Sequence, residues 1–89
     1  MIKHLAIRVL GKVQDVGFEY ATALKAQLLN LSGFYRNDPD GSVYLEVEGD
    51  QYTLENFLEW CKRGPIRARV EKVMVREGEI SNYNHFYVS

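Results

Sequence analysis

Residues 3–19 read KHLAIRVLGKVQDVGFE and predict a strand that passes through a short loop into a helix. In residues 3–10 alternate side chains are apolar, as in a strand with one buried face. Gly11 ends this strand, and the loop extends to Phe18. A tight loop at a helix N-terminus directs unpaired backbone N–H groups toward one point, where the helix dipole adds partial positive charge. An anion could bind there, although many strand–helix loops bind no ligand.

The first helix is predicted from Glu19 to Leu31 and ends at the Ser32-Gly33 pair. Four apolar residues at helical spacing form its expected core-facing stripe: Ala21, Leu24, Leu28 and Leu31. A hairpin follows, with strands at residues 33–36 and 42–48 around a turn-forming NDPDG sequence.

The second half of the chain repeats the helix–strand order. A second amphipathic helix is predicted from apolar residues at i, i+3, i+4 and i+7, namely Leu54, Phe57, Leu58 and Cys61. Residues 69–76 predict a fourth strand, and residues 84–88 suggest a short last strand. The order is βαββαβ, and two helices can cover only one face of such a sheet. We therefore predict an α+β ferredoxin-like sandwich, a four-stranded antiparallel sheet with two helices on one face, as a single domain over residues 1–89.

Composition and charge exclude several function classes. The net charge is -1, which argues against nonspecific attraction to nucleic acid or to an acidic membrane. No apolar run approaches the length of a membrane-spanning helix. The single cysteine, Cys61, cannot form an internal disulfide, and no Cys/His set for a metal is evident. We expect a cytoplasmic monomer that binds no metal, membrane or nucleic acid; the sequence does not identify a protein partner.

Three stretches resemble the signature sequences of the acylphosphatase family. They are GKVQDVGFE, LLNLSGFYRNDPDGSVYLEVEG and GPIRARVEKV. The family pattern is approximately G-x-V-Q-G-V-G-F-R, then L-x-G-x-V-R-N-x-x-D-G-x-V, then G-P-x-x-A-x-V. The resemblance implies the ferredoxin-like fold and the hydrolysis of acyl phosphates to carboxylate and phosphate, without a metal or organic cofactor. A small acyl phosphate or inorganic phosphate is the implied ligand.

The resemblance also implies roles for individual residues. Asn37 matches the asparagine that orients the attacking water, although an asparagine entering a turn also often caps its own backbone. Glu19 occupies the position of the phosphate-binding arginine. The phosphate-binding loop corresponds to Gln14, Asp15, Val16, Gly17 and Phe18, where Asp15 replaces a glycine.

The two carboxylates predict impaired catalysis. Losing one transition-state donor typically costs about 10²–10³ in rate. Like charges about 4 Å apart also repel by roughly 4 kcal/mol at an effective dielectric constant near 20. Asp15 adds negative charge, and its Cβ could disfavour a backbone conformation that glycine allows. We therefore expect acyl phosphate hydrolysis to be lost or strongly reduced.

Three interpretations of the carboxylates remain open. Asp15 and Glu19 could cap the helix where a phosphate would otherwise bind. They could instead attract an amine, an arginine of a partner or a metal ion. Activity could also persist with Arg36 or Lys12 replacing the arginine, although Arg36 should point away from its neighbour Asn37.

Other candidates have simpler structural interpretations. Cys61 lies in an apolar helical stripe and is expected in the core. His4 and His85 have no recognisable partner and are expected at the surface. RNA recognition motifs share the βαββαβ order, but Tyr44 is the only aromatic residue in residues 42–48 and alternates with glutamates. That pattern argues against an RNA-binding sheet.

Overall fold

Five strands and two helices are found in residues 1–88, the part of the chain that this computed structural model describes. In chain order they are β1 (Ile2–Lys12), α1 (Phe18–Leu28), β2 (Ser32–Asn37), β3 (Val43–Asp50), α2 (Gln51–Arg63), β4 (Arg69–Gly78) and β5 (Phe86–Val88). The first six elements follow the predicted βαββαβ order, and a fifth strand comes after them.

All five strands join one sheet in the order β4-β1-β3-β2-β5. The first four pair antiparallel, whereas β5 runs parallel to β2, with Gly33 opposite Phe86. The prediction of a four-stranded antiparallel sheet is thus wrong by one strand. The chain leaves β4 at one edge of the sheet and reaches β2 at the other, so the short strand suggested near the C-terminus extends the sheet.

The core lies between the sheet and the two helices. Its largest fully buried side chains are Tyr35, Phe18, Phe57, Ile7, Leu45 and Leu54. Ile7 and Leu45 are opposite each other in the β1–β3 ladder, so their side chains share one face of the sheet. Side chains alternate between the two faces of a strand. The remaining side chains of β1 and β3 therefore lie on the opposite face of the sheet, which no helix covers and which we call the open face.

The buried face of α1 differs from the predicted stripe. The helix buries Phe18, Thr22 and Ala26, while Leu24 and Leu28 are 45% and 71% exposed. Residues two apart differ by about 200° around a helix, so these leucines lie opposite the buried set. Apolar spacing alone favoured the leucines, but small Thr22 and Ala26 let the helix approach a sheet that already carries bulky side chains.

The second helix was predicted correctly. It buries Leu54, Phe57 and Cys61, and Leu58 packs against the same core. Its N-terminus is capped by Asp50, whose side chain accepts a hydrogen bond from the backbone N–H of Tyr52 at 3.0 Å. Such a cap stabilises a helix by about 1 kcal/mol.

The end of β1 lies unusually close to β4. The β1–β4 register shifts between Leu10 and Gly11, which marks a β-bulge. Gly11 has φ +129°, and a Cβ at this position would collide with the backbone carbonyl oxygen of Arg69. The unpaired residue of this irregularity, Glu71, belongs to β4, and β1 continues to Lys12, opposite Arg69, before the chain turns toward α1.

Candidate functional site

The loop between β1 and α1 is anchored by buried side chains. Val13, Val16 and Phe18 are 1%, 3% and 1% exposed, and all three belong to the core. Between them, Asp15 and Gly17 are exposed. The apolar side chains therefore fix the path of a loop whose intervening backbone is accessible from solvent.

The N-terminus of α1 is open. Its N-cap is Gly17, with φ 81° and ψ 11°, and no side chain among residues 1–88 provides a capping hydrogen bond. The backbone N–H of Ala21 bonds to the carbonyl oxygen of Gly17 at 3.0 Å and starts the helical pattern. The hypothesis that Asp15 and Glu19 cap this helix by hydrogen bonds is therefore wrong. Glu19 still lies in the first turn, where its charge interacts favourably with the helix dipole.

Asp15 adopts a left-handed backbone conformation, with φ 60°. Left-handed conformations are readily adopted by glycine, and asparagine and aspartate tolerate them better than other residues. The aspartate thus keeps a backbone path that suits a glycine, and its carboxylate is exposed beside the loop.

Gln14 joins the loop to the β2–β3 turn. Its side-chain Nε2 donates to the carbonyl oxygens of Asp38 and Ser42, at 2.8 and 2.9 Å. The turn is closed by Asp40, whose Oδ1 accepts hydrogen bonds from the backbone N–H and hydroxyl of Ser42. Gln14 therefore fixes the position of the turn, and of Asn37 at its start, relative to the loop.

Asn37 ends β2 and is exposed. Its Oδ1 accepts a hydrogen bond from the hydroxyl of Tyr35 at 3.1 Å, and Tyr35 itself is fully buried. The turn is closed by Asp40, so Asn37 has a structural partner other than its own backbone. Sequence reasoning missed Tyr35, although the resemblance offered a signal: Tyr35 occupies a position where the family pattern has valine.

Comparisons with known proteins agree with this geometry. A sequence model of the family described as Acylphosphatase matches residues 5–88. A protein named acylphosphatase from Archaeoglobus fulgidus is 45% identical over 85 residues, 96% of either chain. The chain belongs to the acylphosphatase family.

Two solved acylphosphatase structures are similar over nearly their whole length. The one from Coxiella burnetii has a TM-score of 0.95 and 32% identity, covering 99% of this chain and 93% of that one. The one from Bacillus subtilis has a TM-score of 0.95 and 31% identity, and the match covers 100% of this chain and 99% of that one.

Glu19 differs in charge from the arginine of the family pattern. It is exposed in the first turn of α1 and forms no ion pair within residues 1–88. Its charge acts on the neighbouring core: burial, and then the negative charge of Glu19, raise the pKa of the Tyr35 phenol. The negative charge at position 19 thus favours the protonated form of the hydroxyl that contacts Asn37.

Arg36, one possible replacement cation, is directed elsewhere. Its Nε donates to Asp38 at 2.7 Å, and its guanidinium lies 4.4 Å from the centre of the Tyr44 ring. Arg8 approaches from the other side, bonding Asp38 at 2.6 Å and lying 4.9 Å from the same ring. Hydrogen bonds to these two arginines hold the pKa of the Asp38 carboxyl below its usual range. Both cations are therefore engaged on the open face of the sheet.

Lys12, the other possible replacement, lies at the end of β1. It is exposed and pairs with Arg69 across the β1–β4 ladder. Nothing in the described part of the chain gives it a contact with Asn37 or Glu19. Its participation in the site stays a hypothesis.

Three further residues, one cysteine and two histidines, differ in how far their positions match the sequence-based expectation. Cys61 is fully buried, and burial raises the pKa of its thiol to about 12, as expected for a core cysteine. The expectation that His4 is a surface residue is wrong: it is 3% exposed and lies between Glu46 and Glu48, with each ring nitrogen 2.7 Å from a carboxylate oxygen. His85 is exposed, as predicted.

Metal-binding clusters and membrane-spanning helices are absent from residues 1–88. Residues 1–88 contain no cluster of three or more His, Cys, Asp or Glu side chains arranged to hold a metal ion. Neither α1 nor α2 is long and apolar enough to cross a bilayer.

Proposed function

We propose that this chain keeps the acylphosphatase loop and asparagine but hydrolyses acyl phosphates with strongly reduced activity, or not at all. The observation that carries the proposal is Glu19, an exposed carboxylate in the first turn of the helix whose N-terminus the loop leaves open. Neither Arg8 nor Arg36 compensates for it, since both bond to Asp38.

The reaction of the family defines what each residue would do here. Water attacks phosphorus, the bond between phosphorus and the acyl oxygen breaks, and a carboxylate and a phosphate leave. The backbone N–H groups from Gln14 to Phe18 would bind the phosphate oxygens, as helix N-termini commonly do. Asn37 would orient the water. The missing component is a cation for the charge on those oxygens, a role to which the arginine fork is well suited.

The size of the defect follows from two effects. Removing one well-placed donor to the transition state costs about 10²–10³ in rate. A carboxylate also repels the phosphate, by about 1 kcal/mol in bulk water and about 4 kcal/mol near a protein surface at 4 Å. Because Glu19 is exposed, solvent weakens the repulsion toward the lower value. The lost donor is therefore the larger effect.

Acyl phosphate hydrolysis at an ordinary rate is the second candidate. It is supported by the open loop, by the Gln14 contacts that fix the turn next to it, and by the many relatives named acylphosphatase. It requires another cation at the loop, for which Lys12 is the unengaged candidate within the first strand. A noncatalytic protein-binding module is a third possibility, which the loop and Asn37 do not by themselves favour.

Hydrolysis of benzoyl phosphate by the native chain and by the double variant Asp15→Gly, Glu19→Arg separates the first two candidates. We expect little or no turnover by the native chain and a gain of at least about 10²-fold in kcat/KM in the double variant. Adding Asn37→Ala to the double variant should abolish the gain. Brisk native turnover that Lys12→Ala abolishes would instead establish the second candidate.

A further inference from the structure

Tyr35 is a third departure from the family pattern close to the site, after Asp15 and Glu19. It lies in β2 two residues before Asn37, so both side chains are on the same face of the strand. Valine, the residue in the family pattern, has no polar group. The tyrosine brings a hydroxyl that reaches the side-chain oxygen of Asn37 at 3.1 Å.

The core holds this hydroxyl in place. Tyr35 is fully buried, with 0% of its surface accessible to solvent. It belongs to the core cluster that also contains Phe57 and Cys61. A tyrosine ring has two rotatable side-chain torsions, and packing on this scale leaves one arrangement for both. The exposed Asn37 amide is thereby attached to a rigid group.

The contact has a direction. The tyrosine O–H donates, and the asparagine Oδ1 accepts. One lone pair of the amide oxygen is used in this bond, while the amide –NH₂ group keeps both of its donors. Asn37 then presents its –NH₂ end for contacts with an anion or a water at the loop.

We propose that Tyr35 is a positioning residue that fixes the side-chain orientation of Asn37. The inference rests on the proposed function only in treating Asn37 as a residue of the site. Removing the hydroxyl should leave the fold in place but release the Asn37 amide, which then rotates freely at the surface.

The first test needs no catalytic activity. The side-chain amide signals of Asn37 are followed by ¹⁵N–¹H NMR in the native chain, in Tyr35→Phe and in Tyr44→Phe. Tyr44 is the matched control, because its hydroxyl also bonds a side-chain oxygen, that of Glu46, but on the open face of the sheet. We expect Tyr35→Phe to move the Asn37 side-chain amide shifts toward those of a freely rotating asparagine, and Tyr44→Phe to leave them unchanged. Unchanged Asn37 signals in a folded Tyr35→Phe chain would overturn the proposal.

The second test uses whichever chain turns over benzoyl phosphate, native or the Asp15→Gly, Glu19→Arg variant. There Tyr35→Phe should lower kcat by about tenfold, a modest cost for a misplaced group. KM should not change, since the backbone of the loop, and in the variant also the introduced arginine, would bind the phosphate. Tyr44→Phe should leave both constants unchanged. Equal kcat with and without the Tyr35 hydroxyl would contradict the proposal. If the proposed function is wrong, the native chain hydrolyses benzoyl phosphate at an ordinary rate. The NMR test of Tyr35 does not depend on that result.

Discussion

The side-chain nitrogen of Gln14 lies 2.8 Å from the carbonyl oxygen of Asp38, so one amide group connects the loop after β1 to the turn after β2. The same nitrogen reaches the carbonyl oxygen of Ser42 at 2.9 Å. These contacts join elements that are more than twenty residues apart in sequence. They hold the two halves of the candidate site together, independently of any ligand.

Replacing Gln14 with methionine should destabilise the protein. The variant keeps a similar shape but loses the two hydrogen bonds from Nε2, while each carbonyl oxygen keeps one backbone donor, the N–H of Gly41 for Asp38 and the N–H of Asp38 for Ser42. At about 0.5–1.5 kcal/mol for each lost bond, we expect a cost of about 1–3 kcal/mol of unfolding free energy. Urea unfolding measures the change. Gln27→Met is the control, because Gln27 is exposed on α1 and should tolerate the same substitution within about 0.5 kcal/mol. Equal effects of the two substitutions would show that the Gln14 contacts contribute no stability.

The carboxylate of Glu48 predicts a loss of stability in acid. Burial opposes its ionisation, but hydrogen bonds from the backbone N–H of Ser81, from His4 and from the backbone of Tyr83 and Asn82 outweigh burial and lower its pKa. A carboxyl whose pKa is lower in the folded state stabilises the protein above its unfolded pKa, about 4.3, and this contribution disappears as the pH falls through the folded pKa.

Unfolding free energy measured between pH 7 and pH 3 tests this expectation. The native chain should lose stability below about pH 4.5, where the unfolded chain binds more protons than the folded chain. Glu48→Gln should show a shallower decline, while the exposed Glu55→Gln should follow the native curve. Parallel curves for native and Glu48→Gln would mean that Glu48 does not contribute to the acid response.

The orientation of α1 gives a third prediction. Leu28→Gln should change the unfolding free energy by no more than about 0.5 kcal/mol, since Leu28 is 71% exposed. Ala26→Leu should cost about 1–3 kcal/mol or more, because Ala26 is fully buried and a larger side chain would overpack the core. Thermal or urea unfolding of the two variants distinguishes them. The reverse order would support the apolar stripe predicted from spacing.

Much of the fold could be predicted because its signals are local. The alternation in β1 and the i, i+3, i+4 spacing around Phe57 each identify an element and its buried face. The same rule failed for α1, where Leu24 and Leu28 have helical spacing but lie outside the core. Which face of a helix packs depends on the space the sheet leaves, and this cannot be read from the helix alone.

The contacts that were missed depend on long-range register. His4 meets Glu48 because β1 and β3 pair with these two residues directly opposite, and because the chain after β4 crosses the open face above them. Neither the register nor that path has a local signal. Tyr35 and Asn37, by contrast, are two residues apart in one strand, so strand alternation alone could have placed them on the same face.

The most direct test of the central claim is the rate of benzoyl phosphate hydrolysis by the native chain and by the single variant Glu19→Arg. Glu55→Arg, which changes the net charge equally at an exposed site on α2, is the control. The account predicts a rise of at least about 10²-fold in kcat/KM for Glu19→Arg and no rise for Glu55→Arg. Native turnover equal to that of Glu19→Arg would contradict it, because position 19 would then have no part in the reaction.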